Sequence, residues 1–370
     1  MSKPIELLKE KLNSPASVTD ADLLAAYDNN RPAILNDLIA LYTQNVPVSQ
    51  IEALFKELNF TPEVSTFKNL AAIPGHPLQL LGEEAAQLEK RIDESLNSEE
   101  AMKANYKPLW DISLHDMKKA DLLYPTLKVK YGYAAPSLDL WDKDIAIRRK
   151  YTGLMLDPDA PDWDKNMEEA LKQMKDMLWV EDHLLYPLTA ATFSKEIWEE
   201  VYQNQKDYSH CLNVPYETWP DGESLKRPLL PDPDQKVVLN GGVLSAEQLN
   251  SILNALPLEI TFVDIDNMNR YFNIGHKAFK RPTLSLNHEV FDCHPHQVAQ
   301  MVKGMFENFR SGKKDRVEIW MKKEGKPYFV IYQALRDEKG NYLGTLEMCQ
   351  PMEFAEKHFA EAASLAGMMK

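Results

Sequence analysis

The spacing of apolar residues changes its period once along this chain, and the change is marked by prolines. Before residue 213 the apolar positions recur at helical intervals: Leu23, Leu24, Tyr27 and Ile34, then Leu38, Leu41, Ile51, Leu54 and Leu58. After Pro257 they alternate as strands do, in Glu259–Val263, Tyr328–Leu335 and Tyr342–Cys349. Between them, Pro215, Pro220, Pro228, Pro231 and Pro233 interrupt any regular element. A chain of this length with two periods and such a break is expected to fold as more than one domain. The expected architecture is all-α first, then an α+β domain with a five-stranded antiparallel sheet.

The chain has 370 residues and a net charge of −14. No basic stripe interleaved with aromatics is present, and Lys313 and Lys314 stand alone in an apparent turn. Nucleic acid and anionic membrane are therefore not expected as partners, since phosphate binding needs clustered Lys and Arg. No run approaches the roughly 18 apolar residues of a membrane span, and the N-terminus lacks a signal-peptide pattern. A cytoplasmic location is expected. Cys211, Cys293 and Cys349 form no C-x-x-C pair and suggest neither a disulfide framework nor a zinc ribbon.

Turn chemistry sets the later elements. Ser245 and Gln248 are spaced as a capping box that opens a helix from Gln248 to Ala255. A longer helix is expected over Val298–Phe309. Three strands follow as a meander, turning at Glu324-Gly325 and at Lys339-Gly340-Asn341. Two strands, short helices, one longer helix and a meander form the order of a PAS domain. The segments Leu256–Asp264, Tyr271-Phe272-Asn273, Cys293-His294-Pro295, Phe309–Lys313 and Gly344-Thr345-Leu346-Glu347 resemble one PAS subfamily. In that subfamily the PAS domain follows a hemerythrin-like HHE domain, itself preceded by a helical domain of unknown function. The domains expected on this basis are a helical region over 1–70, a hemerythrin-like four-helix bundle over 71–212, a proline-rich linker over 213–244, a PAS-like domain over 245–352 and a C-terminal helix over 353–370.

Within the helical half, Leu122-Leu123-Tyr124-Pro125 recurs as Leu184-Leu185-Tyr186-Pro187. The HHE family, by this resemblance, ends two helices in a similar way, with an iron-binding His ten residues before the proline and a carboxylate one turn later. Here the first copy has His115 but Lys119 or Ala120 at the acid position. The second has Met177 in place of His, and Glu181 as the acid. The earlier His-Pro stretch reads His76-Pro77-Leu78-Gln79, with Glu83 and Glu84 following, and the Trp-Asp segment keeps Asp144 but has Ala146. The ligand set that survives is His76, Glu84, His115, Asp144 and Glu181. The expectation is a metal-free structural bundle, with a single weakly held metal as the alternative.

In the PAS-like region the clustering of His288, Cys293, His294 and His296 leaves open a metal or haem ligand, another small ligand, or none. The segment Cys293-His294-Pro295 belongs to the resembling signature, so a turn or packing role is equally open. Candidate ligand contacts are Phe262, Phe272, Cys293, His294, Met301 and Tyr332. No G-x-S-x-G, P-loop or G-x-G-x-x-G is present, and no enzyme activity is expected. The functional expectation is a sensory or regulatory protein that binds a small molecule or a protein partner and could pair as a homodimer. The alternative is an iron- or haem-binding protein that senses or handles oxygen, nitric oxide or iron.

Overall fold

The computed structural model describes residues 4–223, 235–274, 278–323 and 325–359. The chain divides into two compact units, Met1–Leu225 and Lys226–Lys370.

The first unit is helical. It runs through α1 (Pro4–Asn13), α2 (Asp20–Ala26), α3 (Arg31–Thr43), α4 (Val48–Leu58), α5 (Thr61–Ala71), α6 (Pro77–Leu96) and α7 (Glu99–Asn105). It continues with α8 (Ile112–Leu122), α9 (Tyr124–Tyr131), α10 (Trp141–Leu156), α11 (Trp163–Val180), α12 (Tyr186–Thr192), α13 (Lys195–Gln205) and the short α14 (Pro220–Glu223). Helices α6, α8, α10 and α11 form a closed ring of neighbours, each packing on the next. The expected boundary between residues 70 and 71 falls in the last turn of α5, which packs on α6 inside this unit. Helix α6 begins as its sequence directs: Pro77 occupies the first turn, and His76 Nδ1 accepts the Leu78 N–H at 3.1 Å. Two stretches wind as π-helix, Pro136–Leu140 leading into α10 and Glu181–Leu185 joining α11 to α12. Such loosened turns are frequent at functional sites, because they re-aim side chains that a regular helix would turn elsewhere.

The second unit opens with a hairpin, β1 (Lys236–Leu239) and β2 (Gly242–Ser245), followed by α15 (Ala246–Ala255). The capping box forms: Ser245 Oγ accepts from Gln248 N at 3.1 Å, and Gln248 Oε1 accepts from Ser245 N at 2.9 Å. Then come β3 (Glu259–Asp264), β4 (Asn269–Phe272), α16 (His296–Arg310), β5 (Arg316–Lys323), β6 (Lys326–Arg336) and β7 (Tyr342–Pro351). Strands β3 to β7 make an antiparallel sheet in the order β4-β3-β7-β6-β5. The turn between β5 and β6 has Gly325 at φ +78°, and that between β6 and β7 has Gly340 at φ +82°.

The expected 213–244 linker differs from the structure at both ends. Val214 and Trp219 are buried in the helical unit, and residues 236–245 form the β1–β2 hairpin. Proline content marked an irregular path there, but Trp219 packs edge-on to Tyr202 at 5.8 Å. The middle of the expected linker, 224–234, lies outside the described residues, as does the expected C-terminal helix beyond residue 359; residues 353–359 are helical.

Pairing register settles which side of the sheet is inside. Cys349 pairs with Glu259 and Val330, Glu347 with Thr261 and Tyr332, and Thr345 with Val263 and Ala334. Side chains directly opposite share a face, so these residues line one face. Val263, Ala334, Val302, Phe306 and Phe309 form a buried cluster that places this face against α16.

Candidate functional site

The first concentration of chemistry lies at the centre of the helical unit. Four of the five residues expected as metal ligands meet there. His115 of α8 contacts Glu84 of α6 through Nδ1 at 2.9 Å and Glu181 of the π segment through Nε2 at 2.8 Å. Asp144 of α10 accepts from Tyr124 Oη at 2.7 Å. All of these side chains are buried. His76 does not join them. Its ring packs between Trp198 and Trp219, each centroid 4.9 Å away, and burial lowers its pKa to about 4.

Two lysines that the resemblance did not count as ligands complete the cluster. Lys118 Nζ binds Glu84, and Lys119 Nζ binds Glu181; both lysines are fully buried. Lys119 Nζ also lies 3.1 Å from Asp116 and 3.6 Å from Asp144. The carboxylates of Asp116, Asp144 and Glu181 come together closely enough to hold a metal ion. Lys119 brings an ammonium to all three of those carboxylates, and Arg148 approaches Asp116 at 3.6 Å.

The electrostatics follow from this pairing. Burial opposes the charged form of His115, but Glu181 and Glu84 outweigh it and lift its pKa to about 9. Burial would raise Glu181, yet Lys119 and His115 hold it at about 2. Asp144 is pushed up to about 7 by burial and by Asp116 and Glu181, against the pull of Lys119. Acids and bases are thus nearly matched, which is the condition for holding charge in a dry interior.

The repeated Leu-Leu-Tyr-Pro stretches have a structural counterpart. Tyr124 and Tyr186 are both fully buried, and each donates to an acid of the cluster, Tyr186 to Glu181 at 3.0 Å. Lys119 and Glu181 each stand five residues before the tyrosine of their stretch, and they pair with each other. The donor set does not suit a di-iron centre: Met177 and Ala120 cannot ligate, and Lys118 and Lys119 already supply cations to the carboxylates. A run of two lysines inside a helix that should be half-buried was the signal the sequence offered for this.

The second concentration lies inside the sheet unit. Arg281 donates from Nε to Thr261 Oγ1 at 2.8 Å and from Nη2 to Glu347 Oε2 at 2.8 Å. Tyr332 Oη reaches the other oxygen of Glu347 at 3.3 Å. Burial works against the guanidinium charge, but Glu347 and Glu259 outweigh it and hold the Arg281 pKa above its ordinary value. Sequence reasoning missed Arg281. Glu347 was readable, because it alternates with Thr345 and Cys349 on a face that proves to be internal.

The expected ligand contacts divide. Phe262 pairs with Leu346 and Tyr271 and therefore lies on the outer face of the sheet. Phe272 pairs with Thr261 and shares the inner face, but on β4, at the edge of the sheet away from β5. Cys293 and His294 serve the turn before α16. Cys293 Sγ accepts from Asn269 Nδ2 at 3.6 Å, and His294 Nδ1 bonds to Val290 O at 2.7 Å. Burial lowers the His294 pKa, despite that bond. Met301 and Tyr332 do come together, in a cleft of about 300 Å³ between α16 and the β5 edge, with Met305, Val317, Ile319 and Lys314. No histidine or cysteine lines this cleft, so neither His288 nor His294, which were left open as axial haem ligands, is on its wall. Its volume lies at the lower end of the range for small-molecule sites, about 300–1,000 Å³.

Gly304 also lines the cleft, in the middle of α16. A glycine there costs about 1 kcal/mol relative to alanine. A Cβ on Gly304 would meet nothing within 4 Å. The missing side chain thus avoids no clash; it leaves open volume.

Comparison with known proteins bears on the second unit. Residues 249–353 match the family model described as PAS domain. A crystal structure described as the C-terminal domain of a protein from Streptococcus mutans is 39% identical, covering 34% of this chain and 98% of that one, with a TM-score of 0.33. No curated protein matches. The match to the PAS domain family over residues 249–353 falls on the unit that carries the five-stranded antiparallel sheet, whose fold is consistent with it.

Proposed function

We propose that this is a non-enzymatic sensory or regulatory protein whose PAS domain binds a small molecule and whose helical unit is a metal-free scaffold. The observation that carries the reading is the cleft between α16 and β5, apolar on its walls and ending at Tyr332, whose hydroxyl belongs to the Arg281–Glu347 pair. An apolar cavity with a few converging polar groups is the general form of a small-ligand site. Because Tyr332 links the cleft to a charge pair that spans β3, β7 and the Arg281 segment, an occupant there can bias the packing of the sheet interior.

The helical unit, on this reading, resembles a hemerythrin-like bundle in which lysine ammoniums stand where iron would. Support comes from the closed ring of α6, α8, α10 and α11 and from the pairing of Lys119 with Glu181 at echoed positions. Among the described residues no helix is long and apolar enough to cross a membrane. The test is a thermal-shift survey of the full chain with haem, flavin and a metabolite library. A ligand that raises the melting temperature of wild type, but not of a Tyr332→Ala variant, supports the reading. A survey without any such ligand, or haem binding with an intense Soret band, overturns it.

A further inference from the structure

We infer that the ligand of the α16–β5 cleft is an amphipathic carboxylate: a medium-length acyl chain lying between the helix and the edge strand, with its anionic head at Lys314. The inference rests on the reading of this cleft as a ligand site and adds the chemistry of the occupant.

Shape and wall chemistry set the tail. Met301 and Met305 lie one helical turn apart on α16, and Val317 and Ile319 alternate on β5 facing them. Thioether and aliphatic side chains offer dispersion contact and no directional hydrogen bond, which suits a flexible hydrocarbon. Behind the cleft lies the apolar cluster of Val302, Phe306 and Phe309. At about 30 Å³ for each liquid water, 300 Å³ is the space of roughly ten such molecules, the scale of a chain of about eight to ten carbons. Met301 is 64% exposed where it lines the cleft, so an occupant there would cover it.

Charge sets the head. Lys314 is exposed at the rim, in the turn after α16, and among the described residues no carboxylate pairs with it. Its neighbour Asp315 is engaged by Arg336 at 2.7 Å. The acid nearest in sequence is therefore already paired, and the Lys314 ammonium is left for an anion from outside. Glu347, the carboxylate that Tyr332 reaches from the cleft, is already held by Arg281. Gly304 supplies the remaining condition, since it leaves room at the middle of the helix where a chain would pass.

The experiment uses the full chain and three probes below their aggregation concentrations: decanoate, decanol and decylamine. Binding is followed by calorimetry and thermal shift. Decanoate is expected to bind wild type and raise its melting temperature, with decanol at least tenfold weaker and decylamine weaker still. Gly304→Leu fills the cleft and should abolish binding of decanoate and decanol alike. Lys314→Glu should weaken decanoate at least tenfold and leave decanol unchanged. Gly304→Ala controls for folding: it should melt higher than wild type without ligand and bind decanoate less well. Equal binding of decanoate and decylamine, or binding that survives Gly304→Leu in a folded variant, overturns the inference. If decanoate fails but another library compound binds and is blocked by Gly304→Leu, the carboxylate class is wrong while the ligand-site reading stands. If nothing binds that Gly304→Leu blocks, both fall.

Discussion

The two polar interiors of this protein are built on opposite principles. In the helical unit, Glu84, Asp116, Asp144 and Glu181 are matched inside the protein by His115, Lys118 and Lys119, with two tyrosine hydroxyls adding hydrogen bonds. In the sheet unit the Arg281–Glu347 pair, with Glu259 also acting on Arg281, borders an open apolar cleft with an uncommitted lysine at its rim. The contrast separates structural polarity from receptive polarity. A buried charge whose partners all come from its own chain is part of the scaffold. Open volume beside a charge without a partner is a place for something else.

That contrast can be broken most severely at Lys119. Lys119→Met would leave Asp144 buried without a cation, Asp116 with only Arg148 at 3.6 Å and Glu181 with only His115. Removing one partner of a buried pair costs about 3–5 kcal/mol, and denaturant unfolding of the full chain should show it in the helical transition. A loss below about 1 kcal/mol would mean that the cluster is not held by its charges.

The pH dependence sharpens the same point. The folded pKa of His115 is raised from 6.5 to about 9, so its contribution is complete below 6.5 and is lost as pH rises through 9. Asp144 is raised from 3.8 to about 7, so its protonated form favours folding and that contribution fades as pH rises through 7. Glu181 is lowered from 4.5 to about 2, so its contribution is lost only as pH falls through 2. The helical unit should therefore lose stability steadily between pH 6 and 9, by about 3 kcal/mol from His115 alone. His115→Gln should flatten that slope; an unchanged slope would place the titration elsewhere.

Smaller effects test the hydroxyls and the PAS side. Tyr186→Phe removes bonds to Glu181 and His115 and should cost about 1–2 kcal/mol, read by thermal unfolding. Gly304→Ala should instead stabilise the unliganded PAS domain by about 1 kcal/mol, because it adds helix propensity and meets nothing. A destabilised Gly304→Ala variant would show that the cleft is narrower than described.

Much of the fold is legible in the residues. The shift of period after Pro257, the Ser245/Gln248 capping box and the Gly325 and Gly340 turns located the sheet unit and its meander to within a few residues. The turn that Cys293-His294 makes before α16 was also within reach, since the segment belongs to the signature that this region resembles. The β1–β2 hairpin was not legible, because prolines just before it masked a short alternation.

The site divides in the same way. Local spacing fixed that Lys119 and Glu181 sit at related places in the two repeats, each five residues before the tyrosine, because three to four residues make one helical turn wherever the helix lies. It could not fix what faces them. Local spacing does not say what Lys118 and Lys119 meet, and only the packing of α6, α10 and α11 around α8 makes them buried counter-ions. Likewise the alternation on β7 grouped Thr345, Glu347 and Cys349, but inside and outside are equivalent until α16 covers one face. Period is a property of the backbone and can be read along the chain. Charge pairing and enclosed volume depend on which segments meet across dozens of residues, and the tertiary structure alone decides that.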